Sequence, residues 1–294
     1  MTIALFAALA GCGAGGTHPD PPQLGEISTI TSVRQVVRPI DAYLPTASQG
    51  LIAQRAVYLT SARCLRRLGI SEAPWAAPAQ TEATDQDVRS QLYGYFAPDR
   101  VATTGYDAIT ATDTRTPASA TTQQVLAGRD STGAPLTQYQ GKAVPKGGCL
   151  KEALDAVGGS MAMTPDPSAL PGGGPKVPLT DPRIVAADHQ WSGCMKTHGF
   201  TYANPADAYM DPRWRDQNPG AGAAVTHSPA EIATATADDA CKRSTNLMGI
   251  AVAVQTAYDQ QYIAAHADDL AKFAQRVKQH IADCEKLIAA GDAA

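Results

Sequence analysis

Two nine-residue stretches, 130 positions apart, repeat one pattern. Ala62-Arg63-Cys64-Leu65-Arg66-Arg67-Leu68-Gly69-Ile70 and Ser192-Gly193-Cys194-Met195-Lys196-Thr197-His198-Gly199-Phe200 both read Cys, large apolar, basic, two more residues, Gly, large apolar. A glycine so placed signals a helix C-terminus: the first residue past the cap takes a left-handed backbone that suits glycine, and the apolar residue after it folds back over the last turn. Leu51, Ile52 and Leu59 precede the first copy at helical spacing, Ile184, Val185 and Trp191 precede the second, and Pro74 and Pro205 follow. Basic residues in the last turn suit the negative end of the helix dipole. The repeat therefore predicts a mainly α chain of two loosely repeated helical units.

The N-terminus bears on the compartment. Residues 1–10 are almost unbroken in apolarity and lead into Gly11-Cys12-Gly13-Ala14-Gly15-Gly16. Gly11, Gly13 and Gly16 satisfy the dinucleotide-loop spacing, but that motif needs a helix to open at its last glycine. The chain continues Thr17-His18-Pro19-Asp20-Pro21-Pro22, where prolines forbid a helix interior. Leu9-Ala10-Gly11-Cys12 resembles instead the lipobox of bacterial lipoproteins, in which a short apolar run ends in small residues and a cysteine that receives diacylglycerol. The resemblance implies a signal peptide over 1–11, lipidation of Cys12, a flexible tether over 12–27, and attachment to the extracytoplasmic face of the cell membrane through lipid, with plain secretion as the second choice. No Lys or Arg precedes the apolar run, which points to a translation start further upstream. No later stretch approaches 18 consecutive apolar residues, so lipid alone would hold the protein to the membrane.

In an oxidising space the inner cysteines are expected to form disulfides rather than metal sites. Cys149 opens a helix after Pro145-Lys146-Gly147-Gly148, and Cys241 lies about three turns into a helix that starts with Ser228 as N-cap, Pro229 and Glu231. The repeated unit is then a helix, a cysteine at its stop, a long Pro/Gly loop, and a helix carrying the partner. This pairs Cys64 with Cys149 and Cys194 with Cys241, leaving Cys284 as a buried free thiol on an apolar stripe or an intermolecular bridge.

Cys194-Met195 through Gly199-Phe200, Pro205 and the alanines leading into Cys241 are similar to a recurring pattern in exported lipoproteins of actinobacteria. Tyr93-Gly94-Tyr95 and Val144-Pro145-Lys146-Gly147-Gly148-Cys149 also resemble pieces of that group. The resemblance implies a compartment and a cystine pattern, and no activity.

Residues 28–67 read as one or two helices around Val33, Val36, Val37 and Ile40 and then Leu51 to Leu68. The densest cluster of Pro and Gly, over 163–180, divides an N-terminal unit at 28–162 from a C-terminal unit at 181–294. From Ser228 to Ala290 the helical pattern is broken by Gly249 alone. One stripe runs Leu247, Ile250, Val254, Tyr258 and another Leu270, Phe273, Val277, Ile281, Cys284, Ile288. This predicts a long C-terminal helix, or a hairpin bent near Gly249 or within 264–268.

Standard catalytic templates fail. Gly158-Gly159-Ser160-Met161-Ala162 lacks the closing glycine of a nucleophile elbow, and zinc-protease, phosphate-loop and Ser-x-x-Lys motifs are absent from the sequence. A net charge of −4 with a pI near 5.8 argues against a nucleic-acid partner. His189, Cys194 and His198 could be drawn as a zinc set, but an oxidised Cys194 cannot ligate, so neither metal nor cofactor is expected. Asp181, Asp188, Asp207, Asp211 and Asp216 surround the same segment, where turn capping is the ordinary role. Trp191, Tyr202, Tyr209 and Trp214 concentrate in an aromatic-poor chain; the ordinary reading is packing, with Trp191 plugging the core beside Cys194 and the tyrosines packing the loop, and the alternative is a candidate ligand groove. The expectation is a membrane-anchored envelope lipoprotein, a non-catalytic binding or structural module whose partner is an envelope protein or wall component. The alternative is an exported hydrolase or solute-binding receptor using segment 184–216.

Overall fold

The computed structural model describes residues 20–75, 93–106, 118–159, 166–176, 178–215 and 226–292. Cys12, the signal segment and Asp216 lie outside them, as does part of the 163–180 stretch. The described chain is mainly helical. In order it forms α1 (Ala47–Arg67), α2 (Val101–Thr104), α3 (Ala120–Ala127), a short antiparallel hairpin of β1 (Gln138–Tyr139) and β2 (Lys142–Ala143), and α4 (Gly148–Ala156). There follow α5 (Pro182–Thr197), α6 (Pro205–Tyr209), α7 (Pro212–Arg215), α8 (Pro229–Ser244), α9 (Leu247–Ala265) and α10 (Ala267–Asp292). No helix among the described residues is long and apolar enough to cross a membrane.

The repeated segments end their helices identically. Gly69 N donates to Arg66 O and Ile70 N to Leu65 O; Gly199 N donates to Lys196 O and Phe200 N to Met195 O. Both glycines have positive φ, so each end is a Schellman motif. Helix starts follow the sequence too. The Thr46 side chain accepts from Gln49 N, Asp181 from Arg183 N and Ser228 from Glu231 N. Glu231 itself turns away from its cap, and its Oε1 accepts from Tyr106 N at 3.0 Å.

Both disulfides are present: Cys64–Cys149 with Cα atoms 5.5 Å apart, and Cys194–Cys241 at 5.6 Å. Leu65, Leu68, Ile70, Val125, Leu126 and Val144 pack around the first. Trp191, Met195, Ala235, Leu247 and Met248 pack around the second. Cys284 is a buried free thiol, with Sγ 3.6 Å from His280 Nε2.

Spatial order departs from chain order. Ile30, Val36, Tyr95, Phe96, Val101 and Tyr106, all from the first half, complete the core around Cys194–Cys241. In the other direction α10 crosses back onto α1, burying Ala53, Ala56, Val157 and Cys284. The division at 163–180 is thus a feature of composition, and packing runs across it. Within that stretch Leu170 is buried with Ile40, Tyr262, Leu270, Phe273 and Val277, so the expected linker is anchored to the core at that residue while most of its other described residues stay at the surface. The expected tether is likewise fixed before residue 27: Leu24 packs against Ile184, Ala251 and Val254. Residues 33–43 form two short 3-10 turns, Val33–Gln35 and Pro39–Tyr43, rather than an α-helix. Pro39 cannot donate and pushes Arg38 into extended backbone, which breaks the periodic pattern.

The C-terminal run breaks twice. Asn246 takes a left-handed backbone between α8 and α9, and His266 separates α9 from α10 within the expected 264–268 window. Gly249, suspected as a bend, serves close packing: a Cβ there would sit 2.1 Å from Ser28 O of the N-terminal segment.

Candidate functional site

The four aromatics of the candidate groove are brought together, in and around the core. Trp191 is fully buried, and its Nε1 donates to Asp238 Oδ1 at 2.9 Å. Trp214 is also buried; its ring lies 5.7 Å from Tyr106 and its Nε1 donates to Ala208 O. Tyr209 stacks on Tyr95 at 5.9 Å. Tyr202 is half-buried; its hydroxyl donates to Asp211 Oδ2 and accepts from Arg213 Nη2. The two tryptophans thus pack as core, which leaves them no face for a ligand, while Tyr202 and Tyr209 are half-buried at the edge of that core. The aspartates of 181–211 mostly cap. Asp181 caps α5, Asp207 accepts from Asn204, and Asp211 accepts from Arg213. The Arg213 guanidinium beside it holds the Asp211 carboxyl down at about 2.

Cys194, His198 and Cys241 place their potential ligand atoms within 4.8 Å of one another. Both sulfurs are spent in the disulfide, which leaves His198 alone, and a single imidazole does not hold zinc.

A fully buried polar cluster lies beside the aromatic core. Lys242 Nζ donates to Asp238 Oδ2 at 2.8 Å and to Tyr95 O at 2.6 Å, and Tyr106 OH donates to the same carboxylate. Burial pushes the Asp238 carboxyl up, and its three donors hold back that rise. With no exposed surface on either partner, this pair ties α8 to the 95–106 segment and is closed to any ligand.

An open cleft lies elsewhere. It has a volume of about 1010 Å³ and runs between one face of α9 and the chain at 172–182, with residues 20–22 as its third wall. Tyr258 and Tyr262 fall at i and i+4 on one face of α9, and His266, the cap residue at its C-terminal end, reaches the same cleft. The Tyr262 and His266 rings are 4.5 Å apart. Exposed Lys176, Thr180 and Gln261 supply polar edges, and Pro178 and Pro182 the opposing wall.

The walls are fixed from behind. The Tyr262 hydroxyl donates to Pro171 O, and Gln255 Nε2 donates to Lys176 O at 3.0 Å and to Asp259 Oδ1 at 3.0 Å. Tyr93 OH donates to Gln255 Oε1, and Arg38 grips Asp259 through Nε at 2.9 Å and Nη2 at 2.6 Å. At the mouth, Arg183 donates to both Asp181 oxygens and through Nη1 to Pro22 O at 2.7 Å. Hydrogen bonds from Arg183 hold the Asp181 carboxyl below its usual range. Asp181 also accepts from Tyr258 OH, so its charge is answered within the wall.

Sequence reasoning missed this cleft. Tyr258 was placed on a core stripe, and the i, i+4 spacing of Tyr258 and Tyr262 was the available signal. Comparison with family models, with curated proteins and with solved structures finds no match for this chain.

Proposed function

We propose that this protein is a cell-envelope lipoprotein, tethered by acylated Cys12 to the outer face of the cytoplasmic membrane and acting as a non-catalytic binding module. The observation that carries the reading is Leu9-Ala10-Gly11-Cys12 at the end of an apolar run. The similarity to exported lipoproteins of actinobacteria points the same way. Two buried disulfides support it further, because such bonds persist in oxidising compartments. A lipid anchor contributes about 0.8 kcal/mol per buried methylene, so two acyl chains suffice to hold the body at the surface.

The binding role rests on the cleft. Its lining combines aromatic, polar and charged side chains, among them Lys176 and Asp20, and the Arg183–Asp181 and Arg38–Asp259 pairs brace the wall around it, an arrangement suited to holding a ligand. The partner is a component of the envelope. Intact-mass measurement of the native protein tests the assignment: acyl mass on a chain beginning at Cys12, less four hydrogens for two cystines, is the expected result. An unacylated chain that retains residues 1–11, with every thiol titratable, overturns it.

A further inference from the structure

The two repeated units differ where their cystines approach the surface. Cys64, Cys149 and Leu68, the residue four past Cys64, are all closed off in the first core. In the second unit Cys241 is buried, but Cys194 is only partly so, and the residue four past it is His198, which is exposed. An imidazole thus stands beside the more accessible of the two cystines, with potential ligand atoms of Cys194, His198 and Cys241 all within 4.8 Å of one another. Zinc holds thiolate sulfur at about 2.3 Å and imidazole nitrogen at about 2.0 Å in a tetrahedron, which sets neighbouring donors roughly 3.3–3.8 Å apart. Once the S–S bond is open, the three donors are therefore close to a two-cysteine, one-histidine set, and side-chain rotation on Cα atoms 5.6 Å apart completes it.

The setting favours a cation. Cys194 and Cys241 lie in the last turns of α5 and α8, so the negative ends of two helix dipoles converge on the sulfurs. Of the cations on those turns, Lys242 and Arg243 are answered by Asp238 and Asp239 at 2.8 Å each, and Lys196 is exposed. The Ser244 hydroxyl, 3.7 Å from Cys194 Sγ, is placed to donate to a thiolate there. We propose that Cys194, Cys241 and His198 form a redox-gated zinc site, closed in the cystine and, on reduction, binding Zn²⁺ through both thiolates and the imidazole with solvent in the fourth position. A dithiol supplies the reduction. Its first thiolate attacks Cys194 Sγ and expels Cys241; its second closes the dithiol's own disulfide and releases Cys194, so two electrons and two protons pass to the chain. Zn²⁺ then displaces those two protons, and neutral His198 adds through a ring nitrogen. In an oxidising compartment the cystine is the resting form, so metal occupancy follows the local supply of dithiol. The site shares no residue with the α9 cleft or with Cys12, and it stands apart from the binding-module reading.

Cobalt(II) is the probe, because thiolate ligands give it a charge-transfer band and four-coordination gives it intense ligand-field bands. The full chain is reduced with a phosphine, freed of it without air, and titrated with Co²⁺ and then Zn²⁺. Untreated chain, His198→Ala and Cys194→Ser/Cys241→Ser are run beside it, with circular dichroism to report the fold of each. The expected result is both sets of bands at one Co²⁺ per reduced parent chain, their loss on adding Zn²⁺, and none in the untreated chain. Affinity should fall at least about tenfold in His198→Ala, since losing a ligand costs no less than losing an outer-shell partner, and this exposed side chain can be removed without touching the core. A zinc-dependent shift of the His198 ring resonances in the reduced parent is a second readout that needs no variant. Absence of the bands in the reduced chain, bands unchanged in His198→Ala, or bands that persist in Cys194→Ser/Cys241→Ser and so place the metal at Cys64 and Cys149, would each overturn the assignment. So would a reduced chain that loses its helix content and does not regain it when Zn²⁺ is added.

Discussion

Lys242 has no exposed surface, yet its ammonium is matched by Asp238 and Tyr95 O in one buried cluster. Such a pair returns little net stability over an apolar replacement, because desolvation offsets attraction, but removing one member leaves a buried charge without its counterion. Lys242→Met is therefore expected to cost about 3–5 kcal/mol, read as a fall in the urea midpoint at constant slope. An unchanged midpoint would mean that Asp238 is neutral in the parent. Asp188 titrates in a different range. Its half-buried carboxyl is pushed up to about 6 by burial, with His189 opposing and Asp207 adding to the rise. The folded state thus holds this proton more tightly than the unfolded chain, whose carboxyl keeps its ordinary value near 4. Its stabilising contribution is complete below about 4 and is lost as pH rises through about 6. Relative to the parent, Asp188→Asn should gain midpoint at pH 7 and give up that gain near pH 4. A gap independent of pH between those limits would refute the assignment.

At the scale of elements, two glycine positions separate backbone preference from packing. Gly199 has a positive φ and open space around its missing Cβ, so Gly199→Ala meets only the left-handed penalty, about 1 kcal/mol. Gly128 also has a positive φ, but a Cβ there would stand 2.3 Å from Gly148 N, where the end of α3 meets the start of α4 beside Cys149. Gly128→Ala must push α4 away from the end of α3 and is expected to cost severalfold more, measured by thermal unfolding of the two variants side by side. Equal losses would show that the α3–α4 contact yields readily. The same elements explain what the sequence made legible. The helix stops at Gly69 and Gly199, the caps at Asp181 and Ser228, and the stripe from Leu270 to Cys284 are local, each set by residues within a turn or two of one another. The α9 cleft was not legible, because its second and third walls come from residues 172–182 and 20–22, and only packing brings those to Tyr258 and Tyr262. The core packing of Trp191 and Trp214 could be read from their clustering, but not their partners: Asp238, which bonds the first, and Tyr106, which stacks on the second, are remote in the chain.

For the whole molecule, the governing fact is that each cystine-stapled unit borrows from the other half of the chain. Tyr95, Phe96 and Tyr106 from the first half lie in the core of the second, and α10 from the end of the chain lies on α1. Two independent modules would unfold in two steps, and interleaved ones unfold together. The staples make this testable, since they close separations of 85 and 47 residues. In the chain-entropy treatment each contributes about 4 kcal/mol by restricting the unfolded chain, a large share of the roughly 5–15 kcal/mol that holds a typical domain together. The Cys194→Ala/Cys241→Ala variant removes only the second staple. If the cores are coupled, its native-state hydrogen exchange should lose protection in α1 and α4 as well as in α5 and α8, and by a similar free energy, because all exchange through one global opening. Retention of parental protection in α1 and α4 would show that the interleaved contacts at Tyr106 and Cys284 do not transmit stability between the halves. The reciprocal variant, Cys64→Ala/Cys149→Ala, should then weaken α5 and α8, since coupling through a shared unfolding step is symmetric.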